Sequence, residues 1–327
     1  MLLSALGHQI SGFALDPDQE SLFYRAAVDT RLTDDIRGDI RDRALLISEM
    51  KRIRPDYVLH FAAQALVLEG YRRPAYTYET NVMGTLNVLE ATAATDSVRA
   101  QLIVTTDKVY RDEGQARPYK ESDPLGGKDP YSASKAAADI LAQERLSAID
   151  SKPGAIARAG NVIGAGDYSK NRLLPDLVRA VQAKTPLSVR NPRAIRPWQH
   201  VLDCLNGYLI LLEAVEHQAA SGAWNIAPTA ESPRTVADVL TISKHFTDFD
   251  ELYPETHQDT PVEAPFLALE TSKAREQLSW HDHLDIHTSI EWALVEIPEL
   301  HEGDLEGDVA SQISRFANFL SRPHPIP

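Results

Sequence analysis

Two stretches of this chain, YVLHFAA at 57–63 and AQLIVTT at 100–106, are nearly unbroken apolar runs of strand length. A strand wetted on one face alternates apolar and polar residues, whereas runs like these belong to strands covered on both faces. Helical patterns flank them. RALLISEMKRIRPD (43–56) has helical periodicity and stops at Pro55, and PAYTYETNVMGTLNVLEATAA (74–94) opens on Pro74, a favoured first-turn residue. DPYSASKAAADILAQERLSA (129–148) is a further helix, and GAIARAGNVIG (154–164) a further strand. Strands alternating with helices predict an α/β fold with a doubly wound, Rossmann-type parallel sheet and right-handed crossovers. Such sheets bind ligands outside the carboxyl ends of their strands. Residues released at those ends are therefore the first candidates for chemistry.

The texture changes beyond Ile163. Loops lengthen, prolines recur at 175, 186, 192 and 197, and short strands such as LSVR and AWNIA mix with the helix VLDCLNGYLILLEAV. The chain divides accordingly: a Rossmann-like domain over 1–163, a smaller mixed α/β substrate domain over 164–298 that walls a cleft, and a C-terminal tail over 299–327. The tail is acidic and ends in prolines, with one amphipathic segment, ASQISRFANFL, able to dock.

With 327 residues the chain can bury an ample core. Its net charge of −14 argues against a broad nucleic-acid or anionic-membrane surface, though not against a small cationic pocket. The single cysteine, Cys204, cannot form an internal disulfide and points to a reducing compartment. No apolar run reaches membrane-spanning length, and MLLSALG lacks the basic start of a signal peptide. A cytoplasmic protein is the expectation.

Tyr131 and Lys135 lie four apart in YSASK, on one face of the predicted helix. An ammonium beside a phenol favours the phenolate, which makes Tyr131 a potential base for a sugar hydroxyl. The pair alone also suits an ordinary surface helix. Upstream, LIVTTDKVY runs from an apolar strand straight into Thr105, Thr106, Asp107 and Lys108, where a binding site or a simple cap are both served by these residue types. Phe61, Ala62 and Ala63 end the YVLHFAA strand, and the small residues there let a cofactor approach the backbone. SVRNPRAIRPW sets Arg190, Arg193 and Arg196 three apart in an acidic protein, and arginine forks suit pyrophosphate oxygens. Arg193 reads as a solvated charge, His60 as a packed strand residue and Asn81 as a structural helix residue. Asn225 suits either a strand-end turn or a nucleotide contact. His281, His283 and His287 in HDHLDIH read as a surface turn ahead of a metal site.

The stretches GDIRD, HFAAQALV, TNVMGTLNVLEA, TTDKVY, GGKDPYSASK, RAGNVIGAGD, RNPRAIRPWQHVL and AWNIAP, in this order, resemble the extended short-chain dehydrogenase/reductase (NAD-dependent epimerase/dehydratase) superfamily. RAGNVIG, RNPRAIRPWQHV and Lys108 resemble its CDP-glucose 4,6-dehydratase branch. The resemblance implies NAD as cofactor and a three-step internal redox reaction on a nucleotide sugar. Tyr131 would take the 4-hydroxyl proton as hydride leaves C4, water would be lost across C5 and C6, and hydride would return to C6. It further implies that Thr106 bonds the 4-hydroxyl, that Asp107 donates a proton to the departing 6-hydroxyl, and that Lys108 is the base at C5. Lys135 would also hold the nicotinamide ribose. Asp39 and Ile40 would contact adenine, with Phe61, Ala62 and Ala63 along the cofactor. Asn161, Arg172, Arg190 and Arg196 would bind substrate, Arg196 at the diphosphate. No metal is required. Val82, Leu86, Leu89, Ala137 and Leu141 put apolar residues on more than one helix face, and the family pairs those helices into a homodimer.

Three departures matter. Family members carry tryptophans where this chain has RDEGQARPYKE, and again where it has Tyr168. Both stretches border the sugar site. The superfamily also opens on a strand and a Gly-x-x-Gly-x-x-Gly turn that holds the NAD pyrophosphate, whereas Leu2, Leu3 and Leu6 already have the spacing of a helix. Roughly fifteen residues of the pattern are thus expected ahead of Met1. Without them QISGFAL (9–15) and YVLHFAA lack a shared partner strand. An incomplete gene product and a paralogue that has lost its cofactor both fit. A nucleotide-sugar 4-epimerase on the same scaffold is a further alternative, against which Asp107 and Lys108 discriminate, since an epimerase needs neither an acid at O6 nor a base at C5.

Overall fold

The computed structural model describes residues 1–17, 31–114, 116–229, 234–253, 264–294 and 305–320. In chain order the first part comprises α1 (Leu2–Ala5), β1 (Ser11–Ala14), β2 (Asp34–Arg37), α2 (Arg43–Ile53), β3 (Tyr57–His60), α3 (Val67–Arg72), α4 (Pro74–Tyr78), α5 (Gly84–Ala93), β4 (Ala100–Val104), α6 (Pro130–Ser147) and β5 (Gly154–Ala159). Then come β6 (Val162–Ile163), α7 (Leu173–Ala183), β7 (Leu187–Ser188), β8 (Ile195–Arg196), β9 (Gln199–His200), α8 (Val201–Glu216) and β10 (Gly222–Ile226). The last are β11 (Arg234–Thr235), α9 (Val236–Ser243), β12 (Glu251–Leu252), α10 (Ser272–Leu278), α11 (Ile286–Leu294) and α12 (Leu305–Leu320).

The apolar runs behave as expected. β3, β4, β5 and β10 form one parallel sheet in the order β10-β5-β4-β3. Leu102, Ile103, Ala155 and Ile156 are fully buried because helices cover both faces. Cys204, Tyr208, Leu211 and Trp224 pack on one side; Leu89 and Ala142 pack on the other. β1 and β2 pair with each other in a separate two-stranded parallel sheet. Phe13 of β1 shares a cluster with Ile40, Leu46, Val58 and Val88, so the two sheets contribute to one core although no ladder joins them among the described residues.

Three expectations change. GAIARAGNVIG is two strands, because β6 leaves the main sheet to pair with β9. The 74–94 helix is interrupted by a π-helical turn over Glu79–Met83, a wider turn that re-aims one side chain. β10, the AWNIA strand, joins the sheet of the first domain, so the boundary at 163 separates sequence but not the sheet. Its burial decides this: Trp224 and Ile226 are covered by α8 and α10. The amphipathic segment of the tail docks, as its pattern allowed. Ile313 and Phe316 of α12 are buried with Leu202, Leu284 and Trp292.

Candidate active site

The site begins where β4 stops. After Val104 the chain leaves the sheet through Thr105 and Thr106 into a 3-10 turn over Asp107–Val109. Thr106 caps that turn through a long 3.4 Å bond from the Lys108 amide. Its hydroxyl also donates to Asp107 Oδ1 at 2.9 Å. Asp107 Oδ2 is buried with no hydrogen-bond partner among the described residues. A buried acceptor of this kind carries a desolvation penalty until a ligand or water meets it. Lys108 Nζ lies 4.0 Å from Asp107 and its side chain is part-exposed.

α6 supplies the other half. Asp129 caps its first turn by accepting from the Ser132 amide at 2.9 Å, and Pro130 is pre-set for helix. Gly127 passes so close to this turn that a Cβ there would lie 2.2 Å from the Ala133 nitrogen, so only glycine fits. These constraints fix Tyr131 and Lys135 on the face toward β4. Lys135 is 4% exposed and donates to Val104 O at 2.9 Å. Burial pushes its ammonium down to about 8, with Asp139 pulling the other way. Burial pushes the Tyr131 phenol up to about 12, while hydrogen bonding with Thr106 and the Arg172 charge act to lower it. Tyr131, Thr106, Asp107 and Lys108 line one cavity of about 420 Å³, a size suited to a small ligand.

The opposite wall comes from the second region. Asn161, Arg172, Arg190 and Arg196 all line this cavity, and Arg193 does not. Arg193 is exposed, the solvated charge read from the sequence. Arg196 is nearly buried, and its Nη1 donates to Ile195 O and Ala264 O, both at 2.8 Å. Arg172 is exposed and pairs with Asp167 at 3.2 Å. Trp198 and Asn171 also reach the cavity. Sequence reasoning missed them, because a tryptophan or asparagine in a loop has no periodic signature. Of the two roles open to Asn225, the structural one is seen: it is fully buried, accepts from Tyr110 at 2.6 Å and donates to Tyr119 O and Glu270 O, and so holds β10.

The residues expected along the cofactor sit apart from that cavity. Asp39 and Ile40 follow β2, and Phe61, Ala62 and Ala63 follow β3; none of the five lines the cavity. Asp39 is held by Arg41, which bonds it through Nε and Nη2. Ile40 follows a different pattern. Its side chain is core, pressed so closely by the α5 helix that a Cβ on Gly84 would lie 2.4 Å from it. Only its backbone remains for a ligand. Phe61 is 50% exposed beside the Tyr208 ring. Asn81, on the π-helical turn, accepts from the Gln64 amide at 2.8 Å and donates to Ser134 Oγ at 2.9 Å. It thereby ties the β3 loop to α6 one turn from Tyr131, the structural role read from sequence. His60 is buried against Thr85 and held neutral, down at about 3. A dinucleotide fits these residues at its nicotinamide end. The Lys135 ammonium carries three donors and Val104 takes one, while Ala62 and Ala63 keep the backbone uncrowded. The His281 and His283 rings lie tilted against each other, His283 meets Phe316 edge to face, and His287 lies beside His245.

Residues 2–227 match the profile of the NAD dependent epimerase/dehydratase family. A CDP-glucose 4,6-dehydratase of Salmonella typhimurium is 37% identical over 290 residues, which is 85% of this chain and 80% of that one. A dTDP-glucose 4,6-dehydratase of Xanthomonas campestris is 28% identical over 75% of this chain and 73% of its own length. Among solved structures, the dTDP-glucose 4,6-dehydratase of Bacillus anthracis in complex with NAD superposes with a TM-score of 0.76 at 23% identity, covering 94% of this chain and 93% of that one. The UDP-glucose 4-epimerase of Thermotoga maritima gives 0.76 at 18% identity, over 89% and 91%.

Proposed function

The chain belongs to the NAD-dependent epimerase/dehydratase family, and from that premise we propose that it is a nucleotide-sugar 4,6-dehydratase acting on CDP-glucose. The observation that carries the reading is the buried Asp107 carboxyl, with an oxygen left without a partner, set beside Thr106, Lys108 and Tyr131 in one cavity. An epimerase has no use for an acid at O6 or a base at C5.

NAD, when bound, supplies the acceptor and later the donor of the sugar's C4 hydrogen. The chain's own residues do the rest. Tyr131 takes the 4-hydroxyl proton, and Lys135 stabilises the phenolate that does so. Thr106 orients the hydroxyl. Lys108 removes the C5 proton, acidified by the new ketone, and Asp107 delivers a proton to the departing 6-oxygen. Arg196, held by two carbonyls, lines the cavity and brings a positive guanidinium to the diphosphate, with Arg190, Arg172 and Asn161 around it. The 37% identity to a CDP-glucose enzyme supports cytidine over thymidine.

The same reading includes a cytoplasmic homodimer. No helix of the described residues is long and apolar enough to cross a membrane. Tyr78, Met83 and Ile140 are large, exposed and apolar on α4, the π-helical turn and α6, a patch that a second copy would cover. Leu89, by contrast, is core.

The test is direct. The full-length protein with NAD and CDP-glucose should yield a product with the ultraviolet absorbance of a 4-keto sugar in alkali. Lys108→Ala should still remove the C4 hydrogen but accumulate no dehydrated product. Loss of both steps alike in that variant would remove Lys108 from the role of C5 base.

A further inference from the structure

Directly beneath the catalytic strip lies an ion pair that the mechanism above does not use. Asp139 and Arg158 have side chains 0% and 1% exposed. Arg158, on β5, donates Nε and Nη2 to the two carboxylate oxygens of Asp139 at 2.9 and 2.7 Å. Asp139 also accepts from Thr105 Oγ1 at 2.9 Å and from Gln143 at 2.7 Å. The carboxylate is thus saturated, and one of its four donors belongs to the first residue of the catalytic strand end.

Burying two charges is expensive, and well-packed apolar residues usually serve stability as well or better. The pair therefore calls for a reason other than stability. Its position offers one. Tyr131, Lys135 and Asp139 are spaced four apart on α6, so phenol, ammonium and carboxylate follow one another along one face. We infer that Asp139, held by Arg158, is a positioning residue for the active site: its bond to Thr105 anchors the turn carrying Thr106, Asp107 and Lys108, and its carboxylate lies one helical turn beyond the Lys135 ammonium on the face that carries Tyr131. The inference rests on the dehydratase reading for the roles of Tyr131 and Lys135.

The charges around the unit are few. Lys135 faces Val104 O on β4, His60 on β3, and Tyr131 and Asp139 on its own helix. His60 is held neutral, so it brings no competing positive charge. Arg158 also donates to Tyr110 OH at 3.0 Å and to Glu121 O at 3.1 Å, and Lys273 on α10 lies near it and Glu121. Of these groups, Asp139 is the anion whose charge opposes the effect of burial on Lys135.

The test reads Lys135 itself. In protein with ζ-nitrogen-labelled lysine, the Lys135 resonance is the one missing from Lys135→Met. The double variant Asp139→Asn/Arg158→Gln removes both charges without stranding either. In it Lys135 should titrate about 1 pH unit lower than in the wild type; an unmoved titration overturns the inference. Thr105→Val keeps every charge and cuts only the anchor. Its Lys135 titration should stay, kcat should fall roughly 10- to 100-fold, and KM should hardly change. An unchanged kcat in Thr105→Val overturns the anchoring role, and it decides the matter should the double variant fail to fold. The titration needs no turnover. A wild type inert toward CDP-glucose but showing the expected shift would count against the dehydratase reading alone.

Discussion

The two walls of the cavity are built on opposite principles. On the sheet side, Thr105, Thr106 and Asp107 are each at most 8% exposed and bonded to α6 or to one another, with Tyr131 and Lys108 part-buried beside them. On the far side, Arg172 and Arg190 are exposed and stand on loops, and Arg196 alone is nearly buried. The difference teaches where precision is needed. Proton transfers demand reacting groups held in place beforehand, which rigid elements supply. On the proposed reading, a diphosphate is a diffuse anion that exposed arginines can meet without such exact placement. The sheet wall should therefore govern kcat and the loop wall should govern affinity.

The largest effect tests the first half of that contrast. Tyr131→Phe removes the base and should lower the first oxidation about 10²- to 10⁴-fold while CDP-glucose affinity stays within a few-fold. Rapid-mixing absorbance of the reduced cofactor and calorimetry give the two numbers. If affinity collapses with the rate, the walls are not separable.

Next comes Arg196→Ala, expected to weaken CDP-glucose binding by about 1.5–3 kcal/mol, roughly 10- to 150-fold in Kd. NAD binding should barely change. Arg193→Ala, on the exposed neighbour that misses the cavity, is the paired control and should leave both affinities as they are.

The smallest effect concerns the support behind the loop wall. Asp203, at the start of α8, accepts the backbone amides of His283 and Leu284 at 2.8 and 2.9 Å, and burial pushes its carboxyl up to about 7. A carboxyl raised in the fold favours folding fully below its ordinary value near 4, and that contribution is lost as pH rises through about 7. The thermal midpoint of Asp203→Asn, compared with the wild type, should therefore improve by a few degrees between pH 5 and pH 8. A difference constant across that range would mean Asp203 does not titrate there.

The same contrast explains what the sequence disclosed. Tyr131 and Lys135 were visible because helical spacing is a local property, and Thr105–Lys108 because an apolar run ends there abruptly. The buried runs also announced the parallel sheet. Asp139 and Arg158 were not visible as a pair, since one is on a helix and the other on a strand whose apolar run hides a single arginine. Trp198 and Asn171 reach the cavity only through loop paths that no periodicity encodes. Ile40 and Asn225 illustrate a related limit. Strand ends point to ligands as a class, but tertiary packing decides which side chains turn inward, and here Gly84 and Tyr110 claimed those two.

The central claim is that this cavity moves the C4 hydrogen of a sugar to C6 with loss of water between. CDP-glucose deuterated at C4 tests it most directly, with the enzyme, NAD and ordinary water. The account predicts a 4-keto-6-deoxy product with the deuterium at C6 and a solvent hydrogen at C5. Deuterium still at C4, in a sugar that keeps its 6-hydroxyl and has inverted at C4, would contradict it and make the protein an epimerase.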